Sequence, residues 1–205
     1  MPKKFLVLIL VLIIVGISVF VGVNTHNSKE KEFNFNDSLR LYRIHLPKDY
    51  QVDNSYPLVV ALHGVGDNPR LMEMYTGLSR KADEEGFIVL YPSGTKPKKF
   101  SPITWNAEIC CGYSQEKQID DIGFIESLIN SVSEEYKVDR SRIYIAGYSN
   151  GGMLAHLLSL RMGNKIAATG VVAGAVGSQL EEDEEITFFQ KSEVPVPIII
   201  LHGRE

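Results

Sequence analysis

A serine flanked by glycines lies between a strand-like run and a helix-like run. Gly147-Tyr148-Ser149-Asn150-Gly151 fits the pattern G-x-S-x-G, directly after RIYIAG (142–147) and before a predicted helix over 150–162. In a strand-turn-helix context, such a serine projects its hydroxyl above a sheet, as a nucleophile does. The glycines Gly147 and Gly151 are expected because a Cβ there would collide with the neighbouring strand and helix. The alternative is a Gly-Ser turn whose serine only caps the helix.

A nucleophile at Ser149 requires hydrogen-bond donors for the oxyanion that its attack creates. Two donors normally hold this oxygen, and the helix after Ser149 directs its first amides and positive dipole end towards it. The backbone N–H of Asn150 is the first predicted donor. The second is the backbone N–H of Val65, in the loop LHGVGDN (62–68). His63 in that loop is expected to hold it by hydrogen bonds rather than to act as the base.

Short apolar runs alternate with helical patterns along the chain. LRLYRIHL (39–46) alternates as an antiparallel or edge strand does. Continuous apolar runs predict buried strands over 57–62, 87–92, 142–147, 166–174 and 197–203, and helical spacing is present over 69–85, 120–136 and 150–162. This order predicts an α/β fold with a mostly parallel sheet and helices on both faces. Ligand sites in such sheets gather at the carboxyl ends of the strands.

The first 35 residues have the composition of a targeting segment and a linker. Lys3 and Lys4 precede an apolar run over 5–23, which is about the length of a bilayer-spanning helix. A cleaved signal peptide and a buried core helix are the alternatives. We predict a signal peptide or membrane anchor over 1–23, a polar tether over 24–35 and one folded domain over 36–205. The domain is therefore expected to be extracellular or periplasmic, either secreted or tethered to the membrane by residues 5–23.

Charge and cysteine content exclude several classes of partner. The 205 residues carry a net charge of −4 that is spread along the chain without a basic patch, so nucleic-acid binding has no electrostatic support. The two cysteines, Cys110 and Cys111, are adjacent. They are either free, bonded to each other, or paired with a thiol outside this sequence. Two thiols are too few for a structural zinc site, and no metal is predicted.

Six segments together resemble a known enzyme family. LVVALHG, FIVLYPSG, WNAEICCG, IDDIGFI, YKVDRSRIYIAGYSNGGMLA and VVAGAVG are similar, in the same order, to the polyhydroxybutyrate depolymerase and feruloyl esterase family of α/β-hydrolases, which is like carbohydrate esterase family 1. The resemblance covers about 36–205. It implies an α/β-hydrolase fold and exported serine esterases with a Ser-Asp-His triad and no cofactor. The implied substrates are polyhydroxyalkanoate oligomers, or feruloyl and acetyl esters of polysaccharides.

The chain departs from the family pattern at two places. The triad order in this fold is Ser, then Asp or Glu, then His, and the resemblance puts the acid and the histidine beyond Glu205, with the last strand and helix missing. Glu205 is an alternative acid, and the 205-residue form itself is expected to be inactive. The family often pairs a cysteine of CCG with a cysteine near the end of the helix that follows the nucleophile. Here that part of the helix reads Leu157-Leu158-Ser159-Leu160 and contains no cysteine.

Other polar and aromatic residues have two interpretations each. The region 93–118 has no clear period and is predicted to be a long functional loop; the resemblance places it beside the site. Trp105 in this loop either stacks on the substrate or packs in the core. Asp120 and Asp121 either cap the predicted helix or lie beside the substrate. His156 and His202 are expected to support packing and a loop.

The leading hypothesis is an exported serine esterase that forms an acyl-enzyme on Ser149. One alternative is a catalytically dead, membrane-tethered binding domain. A serine peptidase of the same fold is a further alternative.

Overall fold

The computed structural model describes residues 28–178, 187–189 and 194–203. Within them the strands are β1 (Lys29–Phe35), β2 (Ser38–His45), β3 (Tyr56–Leu62), β4 (Ile88–Pro92), β5 (Val138–Tyr148), β6 (Ala168–Val172), β7 (Gly177–Ser178), β8 (Thr187–Phe188) and β9 (Ile198–Leu201). The helices are α1 (Pro69–Thr76), α2 (Leu78–Glu85), α3 (Gly112–Glu116), α4 (Asp121–Glu135) and α5 (Asn150–Arg161).

Seven of these strands form one mixed sheet in the order β1-β2-β4-β3-β5-β6-β9. β2 pairs antiparallel with β1 and β4, and the pairs from β4 through β9 are parallel. Parallel neighbours need crossover connections, and helices lie in the connections from β3 to β4, from β4 to β5 and from β5 to β6. The predicted α/β fold with a mostly parallel sheet is confirmed.

The sheet buries both of its faces because its central strands are apolar on both sides. Val60 and Leu62 of β3 belong to the larger core cluster with α4 and α5, whereas Ala61 packs in a second cluster with Met72 of α1 and Ala82 of α2. Successive residues of a strand point to opposite faces. The helices therefore cover both faces of the sheet. Because β3 and β5 are parallel neighbours, their carboxyl ends lie at the same edge of the sheet.

Two predicted elements differ from the observed ones. Residues 29–35, expected as part of a tether, form β1, and Phe33 and Phe35 pack against Phe124 of α4. The helix predicted over 69–85 is two helices, because Gly77 between them is left-handed with φ 63°. The tether prediction is therefore wrong for 29–35, where four charged residues precede Phe33 and Phe35 on an edge strand.

The long loop between β4 and α4 is more ordered than its sequence suggests. Thr95 and Thr104 exchange two backbone hydrogen bonds of 3.0 and 2.9 Å and close a hairpin. The short helix α3 follows, held by Ser114, whose hydroxyl donates to the carbonyl of Thr104. The loop thus has a fixed base from which its tip projects.

The predictions for 1–23 and for Glu205 fall outside the described residues. Among the helices of the described residues, none has the length and apolar character needed to cross a membrane.

Candidate active site

Ser149 lies on the turn between β5 and α5. Its backbone has φ 52° and ψ −121°, a conformation that a non-glycine residue adopts only under local constraint. Its N–H donates to the carbonyl of Val172 on the neighbouring strand at 2.9 Å. The turn is therefore anchored to the sheet, and the serine is presented at the carboxyl edge.

Close backbone contacts explain the glycines on either side of the serine. A Cβ on Gly147 would overlap the backbone of Gly151, and a Cβ on Gly151 would overlap the carbonyl oxygens of Leu62 and His63. Helix α5 thus starts in direct contact with the end of β3. This is the crowding between strand and helix on which the sequence argument depended.

The loop after β3 lies beside Ser149, as the oxyanion prediction requires. A Cβ on Gly64 would be 3.4 Å from the Cβ of Ser149 and 3.0 Å from Cδ1 of Tyr148. Val65 follows Gly64 and is half exposed, and Asn150 occupies the first position of α5. The first amides of a helix have no partner within it. Both proposed donors therefore belong to segments next to Ser149, and the roles of Ser149, Val65 and Asn150 stay predictions.

The side chain of Asn150 has a function that the sequence did not suggest. It is buried, and its Oδ1 accepts the backbone N–H of Trp105 at 2.8 Å while its Nδ2 donates to the carbonyl of the same residue at 3.1 Å. The side chain of Asn150 thus forms hydrogen bonds with both the backbone N–H and the backbone carbonyl of Trp105. No sequence pattern signalled this pairing, because the partners are 45 residues apart.

Trp105 joins the same assembly through its indole. The ring is fully buried, and its N–H donates to the carbonyl of His63 at 3.0 Å. A side chain without exposed surface cannot stack on a substrate in this structure. The substrate-stacking interpretation is therefore wrong for this conformation, and the packing alternative holds, because the indole nitrogen finds its acceptor inside the protein.

His63 holds the oxyanion loop to the strand beside it. Its Nε2 accepts the N–H of Gly94 at 3.0 Å, so its Nδ1 carries the proton and donates to the carbonyl of Gly64 at 2.8 Å. Burial lowers the pKa of the imidazole to about 4, and the ring is neutral at physiological pH. The predicted structural role agrees with this geometry.

A buried ion pair fixes the other side of the long loop. Arg40 of β2 donates to Oδ1 of Asp121 at 2.7 Å and to the carbonyl of Ser93 at 3.0 Å, and Oδ2 of Asp121 accepts the N–H of Asn106 at 2.8 Å. Burial raises the pKa of the Asp121 carboxyl, while Arg40 opposes that rise. Asp121 is therefore a tie between β2, α4 and the loop.

The two aspartates at the start of α4 have different roles. Asp120 caps the helix by accepting the N–H of Gly123 at 2.8 Å, as predicted. The capping interpretation is wrong for Asp121. A signal for the ion pair was present in the sequence, because Arg40 shares the apolar face of β2 with Tyr42 and Ile44, and a charge on a buried face requires a partner.

An open cleft of about 670 Å³ adjoins the nucleophile turn. It lies between α1 and the ends of β5, β6 and β9, with Tyr75, Tyr148 and Val172 on its walls. Tyr75 and Tyr148 meet edge to face at 6.3 Å, and the Tyr75 hydroxyl donates to Asp67 at 3.2 Å. The walls of this cleft are mainly apolar.

No hydrogen bond of the Ser149 hydroxyl is present among the described residues. His156 is buried in α5, where its Nε2 has no hydrogen-bond partner among these residues, and burial lowers its pKa. His202 follows β9 and is exposed. In the described part of the chain, neither His156 nor His202 therefore forms a hydrogen bond with Ser149.

The structure places the sulfur atoms of the adjacent residues Cys110 and Cys111 against each other. A bond between these two residues stays a prediction, as do the other two alternatives left by the sequence. The pair lies before α3, where the carbonyl of Cys110 accepts the N–H of Ala107 at 2.6 Å.

The comparison with protein families gives this geometry a context. The sequence model described as "Esterase PHB depolymerase" matches residues 40–186, from β2 past the nucleophile turn. The chain belongs to this esterase family. The match includes G-x-S-x-G and the loop after β3, and it confirms the family that the six sequence segments indicated.

Two curated relatives of this PHB depolymerase-family chain are polysaccharide esterases. It is 28% identical over 160 residues to a bifunctional acetylxylan esterase/xylanase of Neocallimastix patriciarum. The matched region is 78% of this chain and 21% of the relative. It is 28% identical over 137 residues to feruloyl esterase B of Thermothelomyces thermophilus, covering 67% and 44%. The chain therefore spans less than half the length of either relative.

Solved structures show the same fold. A ferulic acid esterase from Anaeromyces mucronatus, solved with ferulic acid, superimposes with a TM-score of 0.64 at 21% identity, covering 86% of this chain and 71% of that one. An S-formylglutathione hydrolase from Agrobacterium tumefaciens gives 0.62 at 16% identity, covering 73% and 58%. The α/β-hydrolase fold of the esterase-family chain is confirmed.

Proposed function

We propose that this chain carries the nucleophile and the oxyanion hole of a serine esterase. The single observation that carries the proposal is the conformation of Ser149, which lies with φ 52° on the turn between β5 and α5. This turn is next to Gly64 in the loop after β3. In the reaction, the Ser149 hydroxyl attacks the ester carbonyl while a base takes its proton. The N–H groups of Asn150 and Val65 hold the oxyanion, the alcohol leaves, and water then releases the acid from the acyl-enzyme.

The acid and the histidine of the triad are proposed to lie outside the described residues. Their place in the chain order follows from the resemblance, and the described histidines do not supply a substitute, because His63 is committed to Gly94 and Gly64. Residues 1–205 without these two groups are proposed to be inactive, since members of a triad act as a unit.

The proposed substrates are carboxylic esters of the kinds that the relatives act on. The matched relatives are an acetylxylan esterase and a feruloyl esterase, and the family is named for polyhydroxybutyrate. The mainly apolar cleft beside the turn accommodates an acyl chain or an aromatic acyl group. No cofactor is required by this mechanism.

Export is proposed from the N-terminal sequence. The apolar run over 5–23 after two lysines suits a signal peptide or an anchor that tethers the domain to the membrane. The protein would then meet ester substrates outside the cell or in the periplasm.

A fluorophosphonate probe applied to the full-length gene product tests the proposed chemistry. Ser149 should be labelled, the Ser149→Ala variant should not be, and a Ser55→Ala variant at an exposed serine should be labelled like the wild type. A folded protein that hydrolyses no ester and takes up no probe at Ser149 would overturn the proposal. Comparison of matched ester and amide substrates separates an esterase from a peptidase.

A further inference from the structure

The tip of the hairpin between Thr95 and Thr104 has an unusual surface. Lys96, Lys98 and Lys99 are all exposed, and Phe100 between them and Ser101 is 94% exposed. No aspartate or glutamate occurs from 93 to 107. The even charge distribution expected from the sequence does not hold at this hairpin, which presents three cations around one aromatic ring.

These lysines are available to a ligand. In the described part of the chain none of them forms an ion pair, whereas Lys31, Lys81 and Lys165 do. Lys96 donates to the carbonyl of Lys99 at 3.0 Å, which curls the tip, and the Lys99 ammonium is 5.7 Å from the centre of the Phe100 ring. The charges are therefore concentrated at one point of a protein whose net charge is negative.

The hairpin is attached to the candidate active site at both of its legs. Gly94 on the first leg donates to His63, and the carbonyl of Ile103 on the second accepts the N–H of Gly66 at 2.9 Å. Phe100 is three residues from Ile103, a span of at most about 11 Å in extended chain. The basic tip thus stands beside the loop that carries the proposed oxyanion donor at Val65.

We propose that this hairpin binds an acidic polysaccharide, with Phe100 stacked on a sugar ring and the lysines paired with the carboxylates of neighbouring sugars. A flat apolar ring suits the face of a sugar, and ammonium groups on flexible stems suit anions spaced along a polymer. The inference deepens the proposed function, because it names the polymer that carries the ester. The chemistry required is a chain of uronic acids rather than a neutral glycan.

An anionic membrane is the competing partner, and the apolar surface argues against it. Phe100 is the only exposed large apolar residue of the hairpin between Thr95 and Thr104. Membrane-binding segments bury a continuous apolar face in the interface. One ring flanked by cations offers little area for insertion but is sufficient to engage one sugar.

The test measures binding and does not depend on hydrolysis. Polygalacturonate, unsubstituted xylan and vesicles containing phosphatidylglycerol are titrated against the full-length protein with the Ser149→Ala substitution. We expect binding to polygalacturonate that weakens with added salt, and no binding to xylan. The K96Q/K98Q/K99Q variant should lose at least tenfold in affinity, and Phe100→Ala should lose severalfold while keeping the salt dependence.

A matched control removes the same charge elsewhere. The K29Q/K48Q/R80Q variant changes three exposed cations outside the hairpin and should bind as the parent does. Equal losses in both triple variants, absence of binding to polygalacturonate, or tighter binding to vesicles than to polygalacturonate would overturn the proposal. If the polysaccharide binds but the active protein hydrolyses no ester, the hairpin inference stands and the proposed function alone fails.

Discussion

Asn150 connects the nucleophile turn with the long loop through its side chain alone. Its amide satisfies the N–H and the carbonyl of Trp105, while its backbone N–H is the proposed oxyanion donor. One residue therefore couples the position of the loop to the geometry of the site. We regard its side chain as a positioning group, because it touches no reacting atom.

The Asn150→Ala substitution should lower kcat of the full-length esterase about tenfold to a hundredfold, with a smaller effect on KM. The variant keeps the backbone N–H but releases Trp105, and small misplacements of catalytic groups have effects of this order. Steady-state kinetics on an aryl ester measure the change. Ser159→Ala in the same helix is the control: it removes a buried 2.6 Å hydrogen bond to Thr169 of β6 and should reduce stability but not kcat. An unchanged kcat in Asn150→Ala would contradict the positioning role.

The lowered pKa of His63 predicts that the stability of the folded protein depends on pH. Its pKa is about 4 in the folded protein against about 6.5 in an unfolded chain. Between these values the unfolded state takes up a proton that the folded state does not, so stability falls as the pH decreases from 6.5 to 4. The loss from this group reaches about 3 kcal/mol.

Urea unfolding at pH 7 and pH 4.5 tests this dependence. His63→Gln keeps one donor and one acceptor without a titrating ring, so its stability should change less between the two pH values than that of the wild type. Equal pH dependence in both proteins would show that His63 does not titrate in this way.

Among the helices and strands, the tie between β2 and α4 depends on a buried ion pair. Asp121→Asn leaves the Arg40 guanidinium, 5% exposed, without its counter-charge, and loss of one partner of a buried pair costs about 3–5 kcal/mol. The free energy of unfolding should fall by that amount. The double variant R40M/D121N should be less destabilised than D121N, because no unpaired charge remains.

The surface pair of Lys81 and Glu85 supplies the comparison. Both side chains are more than half exposed at 2.8 Å separation, so Glu85→Gln should leave the urea midpoint unchanged. If D121N has no larger effect than Glu85→Gln, the buried pair does not tie the two elements.

The elements that the sequence predicted well are those with a strong apolar period. The buried strands β3 and β4 and the helices α4 and α5 were located within one or two residues, because their apolar residues recur with the spacing of one structure. β1 was missed because KEKEFNF is half charged and only its aromatic residues contact the core. Ser149 was predicted from the glycines on either side of it. The hydrogen bonds between Asn150 and Trp105 join residues that are distant in the sequence, so no local sequence pattern predicts them.

In the molecule as a whole, the described residues leave the apolar strand β9 exposed at one edge of the sheet. Ile198, Ile199, Ile200 and Leu201 are 41–64% exposed, and in the described residues β9 pairs only with β6. An exposed apolar edge is a template for pairing with another chain. A polypeptide of residues 1–205 on its own is therefore expected to self-associate.

Light scattering after size-exclusion chromatography measures this association. Ile199→Lys should raise the monomer fraction, because a charge on an edge strand opposes pairing. Val52→Lys adds the same charge at a residue of equal exposure in a loop and should have no effect. A purely monomeric wild type at high concentration would refute the expectation.

The hairpin between Thr95 and Thr104 also has a consequence for engineering. Its base is held by backbone hydrogen bonds and by Ser114, and each leg has its own attachment to the site. The two hydrogen bonds within residues 96–102, from Lys96 to Lys99 and from Ser101 to Lys98, stay inside the tip and do not belong to that framework. The segment is thus a natural cassette: libraries of other loop sequences can be inserted there to redirect the enzyme towards new polymers while the nucleophile turn keeps its shape.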